Sequence, residues 1–188
     1  RRFPEVFEEY GISDIRWGTH TRMDEADQRV FDMSRSGCVY IGFGAESASP
    51  HTLTEMNKGG FILRNGVTPT KINGKMYEFP TTMVNAVRNC AEANVHANCT
   101  WIMAYPGEEL KHLKTSIAFI LWQQQFWTNG LTPGTSRYEA NLAGVNQKMF
   151  TATAYPGTEM WRVVKPKLTK HFGITYDKFG QPTCDNNF

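Results

Sequence analysis

Long apolar runs are missing from these 188 residues: the longest, Ile117–Trp122, is a third of the roughly 18 residues that suggest a membrane span. The opening residues carry no secretory-signal pattern, so a cytoplasmic protein is expected. Charge of one sign is missing too, since 20 Lys+Arg against 18 Asp+Glu leave +2. That balance points neither to nucleic acid nor to an anionic membrane as main partner. Cysteine is scarce. Cys38, Cys90, Cys99 and Cys184 lack Cys-x2-Cys spacing and the density of a disulfide scaffold, which leads us to expect reduced, mostly buried thiols. A zinc site from Cys90, His96 and Cys99 lacks the usual paired spacing, so no metal ligands are assigned.

Two phosphate-binding signatures are also absent. Gly42-x-Gly44 does not extend to Gly-x-Gly-x-x-Gly because position 47 is Ser, and Lys58 precedes two glycines instead of closing a Walker loop. What remains, with 40% hydrophobic and 13% aromatic residues, fits one globular domain over residues 1–188. Because the chain starts at Arg1, inside a helix-like pattern, we expect it to be a piece of a longer polypeptide.

Strand and helix patterns alternate along the chain. Pro4–Tyr10 reads as a helix stopped by Gly11, Ile12–Trp17 as a strand, and Gly18–Asp24 as a polar loop. Asp24 caps an expected helix over Glu25–Ser36, followed by a strand at Cys38–Phe43 buried on both faces. Ser49 and Pro50 stand as N-cap and first residue of a helix over His51–Asn57. Gly59–Pro80 breaks the rhythm, with hairpin-type dipeptides Asn65-Gly66 and Asn73-Gly74, and reads as an insert serving as a lid, a contact surface or decoration. Then come helix Thr81–Ala93, strand Asn98–Ala104, helix Glu108–Phe126, a loop over Trp127–Gly144, strand Gln147–Ala154 and helix Glu159–Phe172, kinked or broken at Pro166. This alternation predicts an α/β fold of about four parallel strands with crossover helices, an open sheet or a partial TIM-like barrel. Either form places ligands at the C-terminal ends of the strands.

Three strand ends carry polar groups. Ala104-Tyr105-Pro106-Gly107-Glu108-Glu109 recurs one strand–helix unit later as Ala154-Tyr155-Pro156-Gly157-Thr158-Glu159. Pro cannot continue a central strand and Gly permits close backbone approach, so each copy frees backbone groups toward a ligand; turn chemistry alone also explains it. Glu46, Ser47 and Ser49 supply a carboxylate and two hydroxyls suited to ribose or an ammonium group, with Ser49 equally explained as a cap. Arg22 suits a carboxylate bidentately, or a salt bridge to Asp24 or Glu46. His20 stands nearby as a candidate base or ligand, or a merely hydrogen-bonded histidine. The aromatics around Trp122, Phe126 and Trp127 read as core or subunit contact.

In their order, Arg22, Ser36–Ser47, Met56-Asn-Lys58, Tyr105–Glu108 and Tyr155–Glu159 resemble the later part of the radical S-adenosylmethionine (radical SAM) superfamily, above all members with an upstream cobalamin-binding domain. The resemblance runs over about Ile12–Lys170 outside the insert. It implies the third to sixth strands of a partial (β/α)6 barrel. In that family a [4Fe–4S] cluster on Cys-x3-Cys-x2-Cys cleaves SAM to methionine and a 5′-deoxyadenosyl radical. The resemblance assigns cofactor contact to Glu46, Ser47 and Ser49 on the ribose side, Tyr105, Pro106, Gly107 and Glu108 on the adenine side, Tyr155 and Gly157 at the last strand, and Arg22 at the methionine part. The chain departs from the family in having neither the cysteine motif nor a Gly-Gly-Glu stretch, and in having Ala104 where Gly is usual. SAM and the cluster, with cobalamin as a further candidate, are therefore expected of a longer parent and this piece alone is expected to be inactive. Two other readings stay open: a non-catalytic module pairing its open sheet edges in an oligomer, and a metal-independent α/β enzyme using His20, Arg22 and Glu46 on an anionic metabolite.

Overall fold

The structure, a computed structural model, describes residues 2–173 and 175–179; Cys184 and the polar end of the chain lie outside them. The described residues group into two compact units, Arg1–Phe150 and Thr151–Phe188. Element order in the first is α1 (Phe3–Glu9), β1 (Trp17–Arg22), a 3-10 turn (Met23–Glu25), α2 (Arg29–Arg35), β2 (Cys38–Glu46), α3 (Pro50–Glu55), α4 (Gly59–Ile62), β3 (Val67–Ile72), β4 (Lys75–Pro80), α5 (Thr81–Glu92), β5 (His96–Met103), α6 (Leu110–Thr128), α7 (Ser136–Gly144) and β6 (Gln147–Thr151). The second unit holds α8 (Glu159–Phe172).

The expected α/β fold is present: one sheet in the order β1-β2-β5-β6, with helices between its strands, and β1, β2 and β5 parallel by register. Alternation sets which face is buried. Ile41, Phe43 and Ala45 of β2 and Ala97, Cys99 and Trp101 of β5 are buried and join the helix residues Val30, Met83, Val84, Val87 and Phe119 in one core. Phe119 and Trp101 have ring centroids 5.7 Å apart. Phe119, Trp122 and Trp127 are core residues, while Phe126 is at the surface. Gln123 is fully buried and satisfied: its Nε2 donates to Ala97 O at 2.8 Å and its Oε1 accepts from Cys99 Sγ and Gln147 Nε2. That amide ties β5 to the start of β6.

Three expectations need correction. The first strand is not Ile12–Trp17 but Trp17–Arg22, because pairing with β2 begins at Trp17↔Cys38 and holds the polar residues Gly18–Arg22 in the ladder. Asp24 does not cap a helix; its carboxylate is buried against Arg22, and α2 starts only at Arg29. Trp127–Gly144 is not all loop, since Thr135 accepts from Tyr138 N–H and starts α7. β3 and β4 form an antiparallel hairpin turning at Asn73-Gly74, whose φ values are 47° and 81°, and Ile62, Ile72 and Phe79 are buried in the common core. In the second unit α8 runs through Pro166 without a break and ends at Gly173, φ 66°.

Candidate functional site

At the end of β1, the Arg22 guanidinium closes on Asp24, Nε to Oδ1 at 2.9 Å and Nη2 to Oδ2 at 3.0 Å. Nη2 also reaches Glu25 Oε1 at 3.2 Å, and Cζ lies 4.2 Å from the Phe61 ring centroid. The hydrogen bond to Asp24 holds Arg22 above its ordinary pKa. Of the two salt bridges the sequence left open, the one to Asp24 is formed. The fork that would clamp a ligand carboxylate is spent inside the chain.

β2 ends on an irregularity. Gly44 pairs with Thr100 and Glu46 with Trp101, so Ala45 is an extra residue, and Glu46 has φ 63°. A glutamate in the left-handed region costs about 1–2 kcal/mol, which makes the position an observed strain at a strand end. Lys58 Nζ lies 3.6 Å from Glu46 Oε1, joining the Met56-Asn-Lys58 segment to this loop. Ser47 is wholly buried: its hydroxyl is 3.1 Å from Ser116 Oγ and accepts from Ser49 N–H. Ser49 Oγ accepts from Thr52 N–H as the N-cap of α3. Both hydroxyls build the loop, and its charged group, Glu46, is partly exposed and faces Lys58.

At the end of β5, Tyr105–Glu108 forms a tight turn with Pro106 second, Gly107 third at φ 88°, and Glu108 N–H donating to Tyr105 O at 2.8 Å. Ala104 precedes it at φ 57°, and its N–H donates to Glu108 Oε2 at 2.7 Å. Glu108 Oε1 is buried with no partner. Tyr105 OH donates to Glu55 O at 3.3 Å. Glu109 is the N-cap of α6 rather than a first-turn residue, in a reciprocal pair with His112, and Lys111 lowers its pKa through a direct hydrogen bond. The second unit repeats the turn with Gly157 at φ 88° and Thr158 N–H donating to Tyr155 O at 3.1 Å. There Thr158 caps α8, and Ala154 is not left-handed. The repeat is thus one turn used twice, and the strained residue before it belongs to the first copy. Ala104→Gly should relieve that strain and raise stability by about 1 kcal/mol in urea unfolding, whereas Ala154→Gly should not stabilise.

Between these ends, one face of the sheet carries three rows across the strands: Gly18–Tyr40–His96, His20–Gly42–Asn98 and Arg22–Gly44–Thr100. A Cβ on Gly42 would lie 2.3 Å from His20 Cδ2, 2.7 Å from His20 Nε2 and 3.0 Å from Tyr40 Oη. The missing side chain is what lets both polar ends converge there. His20 and Tyr40 meet edge to face at 5.8 Å. Tyr40 and Asn98 were not singled out from sequence; the signal was the glycine on alternate positions of β1 and β2, readable only once the strand register is known.

Among the described residues no group of three or more His, Cys, Asp or Glu side chains could hold a metal ion. Burial pushes the Cys90 and Cys99 thiols up to about 12 and raises Cys38 as well. A cleft of about 540 Å³ opens on the helix side, where His51 and His112 stack at 4.3 Å beside Ser49 and Glu78, and neither Glu46 nor Glu108 lines it.

No family model matches the chain. An uncharacterized methyltransferase of Pyrococcus horikoshii is 26% identical over 150 residues, 79% of this chain and 24% of that protein. The chain therefore spans about a quarter of that relative's length. Among solved structures, the cobalamin-dependent S-adenosylmethionine radical enzyme OxsB, with aqua-cobalamin bound, matches 98% of this chain and 29% of its own at TM-score 0.56 and 14% identity. The radical S-adenosylmethionine methyltransferase TsrM from Kitasatospora setae, with cobalamin and a [4Fe–4S] cluster bound, matches 64% of this chain and 22% of its own at TM-score 0.47 and 16% identity. The OxsB match shares the fold: a parallel four-stranded sheet with crossover helices.

Proposed function

We propose that these residues are part of the catalytic barrel of a radical SAM enzyme and hold SAM at the ends of β2 and β5 for modification of a substrate still to be identified. The observation that carries this is a pair of left-handed, non-glycine residues, Glu46 and Ala104, at the ends of two adjacent parallel strands, beside the buried and unpaired Glu108 Oε1. Strain and an orphaned carboxylate oxygen at neighbouring strand ends mark where a ligand is expected in such a sheet. The fold likeness to a radical enzyme and the methyltransferase relative support the same class.

In this reading Glu46 accepts from SAM hydroxyl or ammonium groups. Glu108 and the backbone of Tyr105, Pro106 and Gly107 line the other side. Ser47, Ser49 and Arg22 act one step back, by fixing the loops that present these groups. Tyr155 and Gly157 form the same turn in the second unit, where the resemblance alone assigns them cofactor contact. SAM supplies the methyl group or the radical; the chain supplies orientation. No cluster ligands are assigned to these residues, which have no Cys-x3-Cys-x2-Cys motif and no grouping of three or more candidate ligands among those described.

Equilibrium dialysis with labelled SAM tests this. Saturable binding should weaken about tenfold or more in Glu46→Gln, the loss of one charge-assisted hydrogen bond. A chain that ignores SAM and assembles into a defined oligomer would overturn the assignment in favour of the edge-pairing module.

A further inference from the structure

The conformation of Glu46 needs a cause outside its own loop. Ser47 N–H donates to Ala45 O at 2.7 Å across Glu46, whose φ is 63°. Glu46 is therefore the central residue of a γ-turn with positive φ, the rare and strained form. Such a turn persists only where its surroundings over-determine it. The backbone that follows is enclosed: Ser47 and Ala48 are fully buried and Ser49 is 2% exposed, so each N–H has to find an acceptor inside the protein. Ser49 N–H finds Ser47 Oγ at 3.1 Å. Ala48 N–H finds Ser116 Oγ at 3.0 Å, and that same oxygen lies 3.1 Å from Ser47 Oγ. One hydroxyl, 68 residues further along the chain, thus grips the two residues that follow Glu46.

Ser116 is itself 3% exposed and stands on α6, the helix that opens directly after the Tyr105–Glu108 turn with Glu109 as its N-cap. From Glu109 to Ser116 is about two turns of helix. A single rigid element therefore carries the turn after β5 at its start and the grip on the β2 loop two turns later. The carboxylate of Glu46 has its own determinant. A Cβ on Gly44 would lie 3.0 Å from Glu46 Oε1, so the side chain folds back over the glycine, where Lys58 Nζ meets it at 3.6 Å.

We propose that Ser116 is a positioning residue for the cofactor site: through Ser47 and Ala48 it fixes the γ-turn that presents Glu46, and through α6 it sets the spacing between Glu46 and the Glu108 turn. In its ligand role this rests on the SAM reading of the two strand ends. Ser116 touches no ligand. Alanine in its place leaves the buried Ala48 N–H without an acceptor, and the turn then relaxes toward an unstrained backbone that carries Glu46 away from its present position.

Amide hydrogen exchange followed by NMR without SAM, and equilibrium dialysis with labelled SAM, test this on the same samples. Ser116→Ala should speed exchange at Ala48 and Ser49 about tenfold or more while the core amide of Val84 stays protected. It should also weaken SAM binding about fivefold. In a Glu46→Gln background the same substitution should add less than about twofold, because Ser116 acts through Glu46. Val30→Ala, a buried truncation on α2, lowers stability but should leave SAM binding within about twofold, which separates positioning from general loosening. Where Ser116→Ala does not fold, Ser116→Cys takes its place, nearly the same size but a weaker acceptor, with smaller shifts in the same directions. Unchanged exchange at Ala48, unchanged SAM affinity, an equal loss with and without Glu46, or the same loss from Val30→Ala overturns the proposal. A wild-type chain that ignores SAM removes the cofactor reading alone, since exchange at Ala48 still decides whether Ser116 holds the turn.

Discussion

Phe79→Ala should cost about 3–5 kcal/mol in urea unfolding followed by tryptophan fluorescence, a large share of what a domain of this size possesses. Phe79 sits at the end of β4 and is fully buried. Its ring meets Phe119 edge to face at 5.0 Å, lies 6.2 Å from Trp122 and stacks on Tyr77 at 6.1 Å. Truncation would remove the apolar area and leave a cavity among three aromatics that cannot collapse onto it. Met76, on the same strand but 62% exposed, is the control, and Met76→Ala should stay within about 0.5 kcal/mol. A small effect at Phe79 would return the hairpin to the status of a peripheral insert and separate it from the core that supports β5.

Gly37→Ala should cost about as much, for a different reason. Gly37 has φ 90°, and a Cβ there would come 2.1 Å from Ile15 O, a backbone atom that cannot swing aside. The same residue accepts from Trp17 N–H at 3.1 Å, the bond that starts β1. Substitution therefore strains the turn and displaces the strand that brings His20 and Arg22 to the sheet. We expect a loss of about 3–5 kcal/mol. Gly11 separates conformation from collision: its φ is 63° with open space around it, so Gly11→Ala should cost only about 1 kcal/mol. Equal losses at the two positions would show that the contact with Ile15 is relieved by a backbone shift.

Much of the frame was legible from residue patterns because local chemistry settles it. The Ser49–Pro50 cap, the Asn73-Gly74 turn and the bounds of α8 each follow from side chains acting within a few residues of themselves. Alternation of strands with helices was enough for the α/β class and for the prediction that polar groups gather at strand ends. β1 was misplaced because Gly18–Arg22 is polar and has no local reason to be extended; its ladder partner 20 or so residues away supplies that reason. Phe79 looked like part of an excursion for the same cause, since its partners Phe119 and Trp122 lie on a distant helix.

The site divides along the same line. Sequence alone determined which residue types stand at the strand ends: Arg22, Glu46 with its serines, and the twice-used Tyr-Pro-Gly turn. Only the tertiary structure decided which of them remain free to act. Arg22 is consumed by Asp24, Ser47 by Ser116 and Ser49 by its own helix, and Glu46 faces Lys58, whereas Glu108 Oε1 is left without a partner. It also decided that His20, Tyr40 and Asn98 share one face, because register across three parallel strands is set by burying Ile41, Phe43, Cys99 and Trp101 on the other. Hydrogen-bonding capacity is a property of a residue type, but whether it is spent depends on neighbours that the chain brings together only on folding.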